Sequence, residues 1–179
     1  MVVTMSIKAI VLVCLVASCS SEPSSPPVDP CQVEPMFVGG TAEVGLGSEF
    51  SPIMDGQDVQ LIFGYRNLYT VVVNARVQDM DIGADDRPGV VFLTAFDEGG
   101  QVISLDLSCR VREFVETATA DGTQQLDSPY NLPLHPSFTP SLEGARIKIR
   151  LDVRDQDGIQ AIDERTVVAH LPLLAGNAL

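Results

Sequence analysis

The sequence predicts an all-β domain, an antiparallel sandwich of seven or eight strands over residues 31–179. Three observations carry that expectation. Apolar residues recur at every second position, the runs are bounded by Gly, Pro and Asp turns, and no stretch combines helical spacing with capping residues. The 149 residues from Cys31 onward make one ordinary domain, long enough to bury a core.

The elements follow in order. Val59, Leu61 and Phe63 alternate with Asp58, Gln60 and Ile62, and Val71, Val73, Ala75 and Val77 alternate with Asn74, Arg76 and Gln78. Val90–Phe96 is almost continuously apolar, as a strand inside a buried sheet is. Asp97–Gly100 then turns the chain into a long strand, Gln101–Val115. On it Ile103, Leu105, Leu107, Cys109 and Val111 share one face, while Ser104, Asp106, Ser108, Arg110 and Arg112 share the other. Cys109 is therefore expected to point inward. The Pro-rich stretch Ser128–Ser141, with Tyr130, His135 and Phe138, reads as a long crossover loop packed by its own aromatic rings. In Ala145–Arg154, Ile147, Ile149, Leu151 and Val153 face in, and Arg146, Lys148, Arg150 and Arg154 face out beside Asp152. Asp155–Gly158 supplies a hairpin turn, and Gln160–Leu171 returns as the last strand.

The stretch from Leu142 to Val168 resembles the closing hairpin of many bacterial immunoglobulin-like domains, which implies an immunoglobulin-like form of the sandwich. The Cys-Trp-Cys pattern of antibody domains is absent, and the chain contains no Trp.

Residues 1–18 read as a signal peptide. Lys8 is followed by nine apolar residues, Ala9–Ala17. Nine helical residues rise only about 14 Å against a hydrocarbon core of roughly 30 Å, too short to span. Val16-Ala17-Ser18-Cys19 resembles the lipobox of bacterial lipoproteins. That resemblance implies cleavage before Cys19, a diacylglycerol thioether on its sulfur and an acyl chain on its new amino group. Three chains make a firm membrane anchor, since stable attachment needs at least two. Ser20 in place of Asp implies sorting to the outer membrane. Residues 19–30 then form a tether, because four prolines and four serines in Ser20–Pro30 cannot bury a core. Extended, those residues reach roughly 34 Å. A looser similarity covers Val44 to Val77. Gly45, Phe50, Pro52, Asp55 and Gly56, followed by the Gly64–Tyr69 turn, are similar to a segment of myxobacterial lipoproteins, without the histidine that ends its turn. It implies location and fold, and no activity.

Loss of residues 1–18 removes Lys8 and no acid, leaving ten basic and 24 acidic side chains, a net charge of −14. Such a balance argues against nucleic acid as a partner and against peripheral binding to anionic lipid. Cys14 leaves with the signal and Cys19 is acylated, so Cys31 and Cys109 remain as a pair in an oxidising compartment. A disulfide is the favoured reading, with two buried thiols as the alternative.

Signals for chemistry are sparse. Asp155, Asp157, Gly158 and Glu164 fall at positions 3, 5, 6 and 12 of a calcium-loop register, but Val153 at position 1 cannot ligate. A polar turn is the simpler reading. Asp79, Asp81, Asp85 and Asp86 crowd another loop, read as solvated with a weak calcium site as the alternative. The sequence has no G-x-S-x-G, no H-E-x-x-H and no Cys-His arrangement, so no enzyme is expected. No cofactor is expected beyond the covalent lipid. Six of the ten remaining basic residues, Arg110, Arg112, Arg146, Lys148, Arg150 and Arg154, are expected on outward strand faces. If the strands share a sheet, they would form a dock for phosphates or acidic glycans. The plainer alternative is cross-strand pairing with Asp106, Asp152, Asp163 and Glu164. The combined expectation is a lipid-anchored envelope protein, a non-catalytic binding or structural module for an envelope protein or glycan. A calcium- or acidic-glycan-binding accessory domain is the alternative.

Overall fold

The computed structural model describes residues 29–32, 34–64, 67–83, 87–105, 109–118 and 121–172. The signal peptide, Cys19, the tether as far as residue 28, Asp85, Asp86 and Asp106 lie outside the described residues. Two sheets pack face to face, with no α-helix among the described residues. The front sheet runs β1 (Phe37–Val38), β13 (Ile159–His170), β12 (Arg146–Arg154), β7 (Gly89–Phe96) and β8 (Arg110–Arg112), with β4 (Gln57–Gln60) also on β13. The back sheet runs β3 (Ser51–Pro52), β2 (Thr41–Leu46), β6 (Tyr69–Gln78), β10 (Gln124–Leu126) and β9 (Phe114–Glu116). Two further strands, β5 (Ile62–Phe63) and β11 (Tyr130–Pro133), also pair with β6. Neighbours are antiparallel except β1 and β4, which run parallel to β13.

The long strands obey period two where both edges are paired. Val71, Val73, Ala75 and Val77 of β6 face Val91, Leu93 and Ala95 of β7 and Ile147, Ile149, Leu151 and Val153 of β12 in one core. Val44, Leu132 and Val167 belong to the same core. Gly45 has a steric reason: a Cβ there would come within 2.5 Å of the Phe50 ring, which folds back over the back sheet. Gly89 likewise leaves room for Phe114, whose ring a Cβ would meet at 2.6 Å.

The seven or eight expected strands exist as thirteen segments among the described residues, because several change sheets along their length. The chain leaves β1 in front for β2 behind at Gly39–Gly40, where Gly40 takes φ +68°. It passes from β4 to β5 at Leu61, whose N–H bonds His170 O.

The expected single strand Gln101–Val115 is corrected by the same behaviour. Val102 and Ser104 make isolated bridges, to Phe96 and Leu134. After them β8 joins the front sheet and β9 the back sheet. The alternation has shifted between Ile103, which is buried, and Arg110, from which the even-numbered residues take the inner side, so Phe114 is buried while Leu105 and Val111 are 42% and 45% exposed. Cys109 is accordingly half-buried at the edge of the front sheet rather than inside the core. It is bonded to Cys31, with Cα atoms 5.7 Å apart. Ser128–Ser141 is no structureless crossover either. It forms β11 and a 3₁₀ turn, Pro136–Ser141, capped by His135. Pro133 ends β11; its carbonyl accepts the Leu105 N–H, and its missing N–H cannot return that bond.

Candidate functional site

The six basic residues divide into two groups. Residues opposite one another in an antiparallel pair leave the sheet on the same side. Arg110 stands opposite Val91, and Val91 opposite the core residue Val153; Arg112 stands opposite Gly89, on that same side. Arg110 and Arg112 therefore leave β8 on the inter-sheet side. Lys148, Arg150 and Arg154 stand opposite Phe96, Thr94 and Val90 on the solvent side, and Arg146 shares their parity on β12. The expectation of six cations on outward faces is corrected for two of them: Arg110 and Arg112 stand on the other side of the front sheet from the four cations of β12, Arg110 exposed at the edge strand and Arg112 half-buried.

The solvent-side cations are paired. Arg146 Nε lies 3.5 Å from Glu98, and Glu164 accepts both Lys148 at 3.6 Å and Arg150 at 3.3 Å. Arg154 takes Asp152 with two nitrogens, each at 3.2 Å, while Gln160 Nε2 donates to Asp152 Oδ2 at 2.7 Å. Lys148 and Arg154 also lie 5.1 and 4.6 Å above the rings of Phe96 and Phe92. The exposed pairs contribute little individually, whereas the bidentate Arg154–Asp152 pair is largely shielded from water. Asp163 pairs with Arg165 at 3.1 Å and accepts the Val44 N–H, joining β13 to β2.

The acidic candidates serve the backbone where they are described. Asp155 is fully buried, and its Oδ1 accepts N–H groups from Asp157 at 3.0 Å and Ile159 at 2.8 Å. Its Oδ2 receives the Asp81 N–H at 3.4 Å, drawing the acidic loop onto the β12–β13 turn. Asp81 forms an ion pair with Arg87, Asp79 sits at φ +59° and Asp157 is exposed. Among the described residues no group of three or more His, Cys, Asp and Glu side chains is placed to hold a metal.

A cluster that periodicity does not reveal lies at the other end of β13. His170 Nδ1 is 2.9 Å from Glu143 Oε1, and its Nε2 is 3.0 Å from Asp58 Oδ1. Glu143 Oε2 accepts the Leu171 N–H at 2.6 Å. The hydrogen bond to Glu143, then that to Asp58, raises the His170 pKa above its ordinary value. The Leu171 N–H, then His170, lowers that of Glu143. Parallel pairing of β4 with β13 brings Asp58 there, and that register leaves no mark in either strand alone.

Two clefts open at this end, with about 240 and 420 Å³ of space, on either side of the Arg146–Glu98 pair. The smaller is partly apolar, with Ile103, Phe138 and Leu142 on its wall; the larger is lined by Asp97, Glu98, Lys148 and Thr166. A third, of about 190 Å³, lies beside β8 at the far edge of the sandwich, between Val111–Glu113 and Asp127–Ser128. Comparison with known proteins finds no family model, no curated protein and no solved structure that matches this chain.

Proposed function

We propose that the chain is a lipid-anchored cell-envelope protein whose folded part is an immunoglobulin-like sandwich serving as a non-catalytic binding module. The order of segments carries the anchor: an apolar run too short to span, Val16-Ala17-Ser18-Cys19, a Pro/Ser spacer, then a disulfide-fastened domain. The connectivity supports the immunoglobulin-like reading. The early strand β2 pairs antiparallel with β6, β4 runs parallel to the last strand β13, and β12 lies between β13 and β7. Clefts on two sides of the sandwich support a binding role for an envelope protein or glycan partner. His170 has both ring nitrogens engaged by carboxylates, which supports a structural rather than a general-base role.

Metabolic labelling with an alkynyl fatty acid, followed by membrane fractionation, tests the anchor. The wild-type chain is expected to take the label and sediment with outer membranes, and Cys19→Ala to lose both properties. Equal labelling of the two, or an unacylated mature terminus by mass spectrometry, overturns the reading.

A further inference from the structure

We propose that the cleft beside β8 is a binding site for a small amino-acid-type zwitterion, with Arg112 taking the carboxylate and Glu113 and Asp127 the ammonium. The proposal deepens the binding-module reading by naming a ligand class, and it does not depend on the lipid. Arg112 leaves β8 toward the inter-sheet side, and its guanidinium carbon lies 5.3 Å over the Tyr130 ring. Stacking on an aromatic face orients a guanidinium while leaving its in-plane donors for a partner. No carboxylate among the described residues pairs with it, unlike the four cations of β12. Its Nε is buried without an acceptor, and among the described residues no other buried side-chain nitrogen or oxygen stands so. Buried, Nε is out of reach of a ligand in the cleft, so recognition falls to the two terminal nitrogens, which are neither buried nor paired among the described residues. A carboxylate taken end-on, across the two terminal nitrogens, is the planar match for that fork.

The rest of the cleft selects the other half of the ligand. Glu113 and Asp127 are exposed carboxylates on the wall that Arg112 lines, and Ser128 stands beside them with its hydroxyl 3.3 Å from Asp127 Oδ2. An anion alone meets Arg112 together with two like charges, and a cation alone meets two carboxylates together with a guanidinium. A group carrying both signs one or two bonds apart satisfies all three. The walls are fixed to one another, because the Asp127 N–H bonds Glu113 O at 3.1 Å. The space, about 190 Å³, corresponds to roughly six water volumes, the size of a small amino acid and well short of a nucleotide.

The test is an NMR titration of the full acylated chain in detergent, reading the Arg112 Nε–H resonance and the amides of Val111–Glu113 and Ser128. Alanine is the probe, with acetate and methylammonium as its separate halves at matched ionic strength. Alanine is expected to shift these signals at millimolar concentration, and each half to bind at least about tenfold more weakly. Arg112→Lys keeps the charge without the fork and is expected to lose about tenfold in alanine affinity. Asp127→Asn should weaken alanine without weakening acetate. Acetate binding as tightly as alanine would identify a plain anion site and overturn the proposal. So would the absence of any shift, or wild-type affinity in Arg112→Lys with its melting temperature unchanged. Fatty-acid labelling of Cys19 is read separately, so failure of this site and failure of the anchor are distinguishable.

Discussion

His170 sits where three elements meet, and its titration sets how firmly they hold. Its raised pKa means that the imidazolium contributes its full stabilisation below the ordinary histidine value near 6.5, and loses it as pH rises through the raised one. Glu143 runs the other way. Its lowered pKa contributes above the ordinary carboxylate value near 4.5 and is lost as pH falls through the lowered one. The two contributions overlap between those ordinary values. Melting temperatures of wild type and His170→Gln across pH are therefore expected to differ most between about 4.5 and 6.5 and to converge at alkaline pH. The groups are exposed, so added salt should shrink the difference. A gap that stays constant across pH would mean that neutral hydrogen bonding, not charge, ties the loop at Glu143 to β4 and β13.

At the level of elements, the β12–β13 hairpin depends on one carboxylate. Asp155 replaces water at two turn N–H groups while buried, so removing it strands those donors as well as losing the bonds. Asp155→Ala is expected to cost about 3 kcal/mol in urea unfolding, and exposed Asp157→Ala no more than about 0.5 kcal/mol. Equal losses would return Asp155 to the status of an ordinary turn residue. The hairpin also marks how far the sequence alone could be read. Val71–Val77 and Ile147–Val153 were legible because each strand keeps partners on both edges, which locks parity to burial. Val111 and Leu105 were not, because the inner side passes from odd-numbered residues at Ile103 to even-numbered ones by Arg110, while the alternation of residue types runs on unbroken across that shift. The same shift turned Arg112 from an expected surface cation into the guanidinium of an edge cleft. Asp155 was visible as an acid in a turn, but its burial depends on the loop around Asp81, some 74 residues earlier in the chain.

For the molecule as a whole, the disulfide decides how the N-terminal segment is attached. Cys31 is held at the β8 edge of the front sheet, and a few residues later Phe37–Val38 pair with β13, at the opposite edge. The segment between therefore spans the width of the front sheet, fastened covalently at one side and by a two-residue parallel pairing at the other. That pairing is weak by itself, with Met36 and Phe37 N–H groups both directed at Gly158 O and with Met36, Phe37 and Val38 largely exposed. The bond also closes a loop of 78 residues that contains β6 and β7, the strands on which the two sheets are organised. Loop-closure entropy puts its contribution at about 4.5 kcal/mol, an upper value because the denatured chain retains structure. Reduction is expected to act in two stages that hydrogen exchange separates. Amides of Met36–Val38 should lose protection first, under conditions where β6 and β12 remain fully protected, and the urea midpoint of the whole domain should then fall. If Met36–Val38 keep their protection until the core unfolds, the β1–β13 pairing holds the segment unaided, and the disulfide acts only on the unfolded chain.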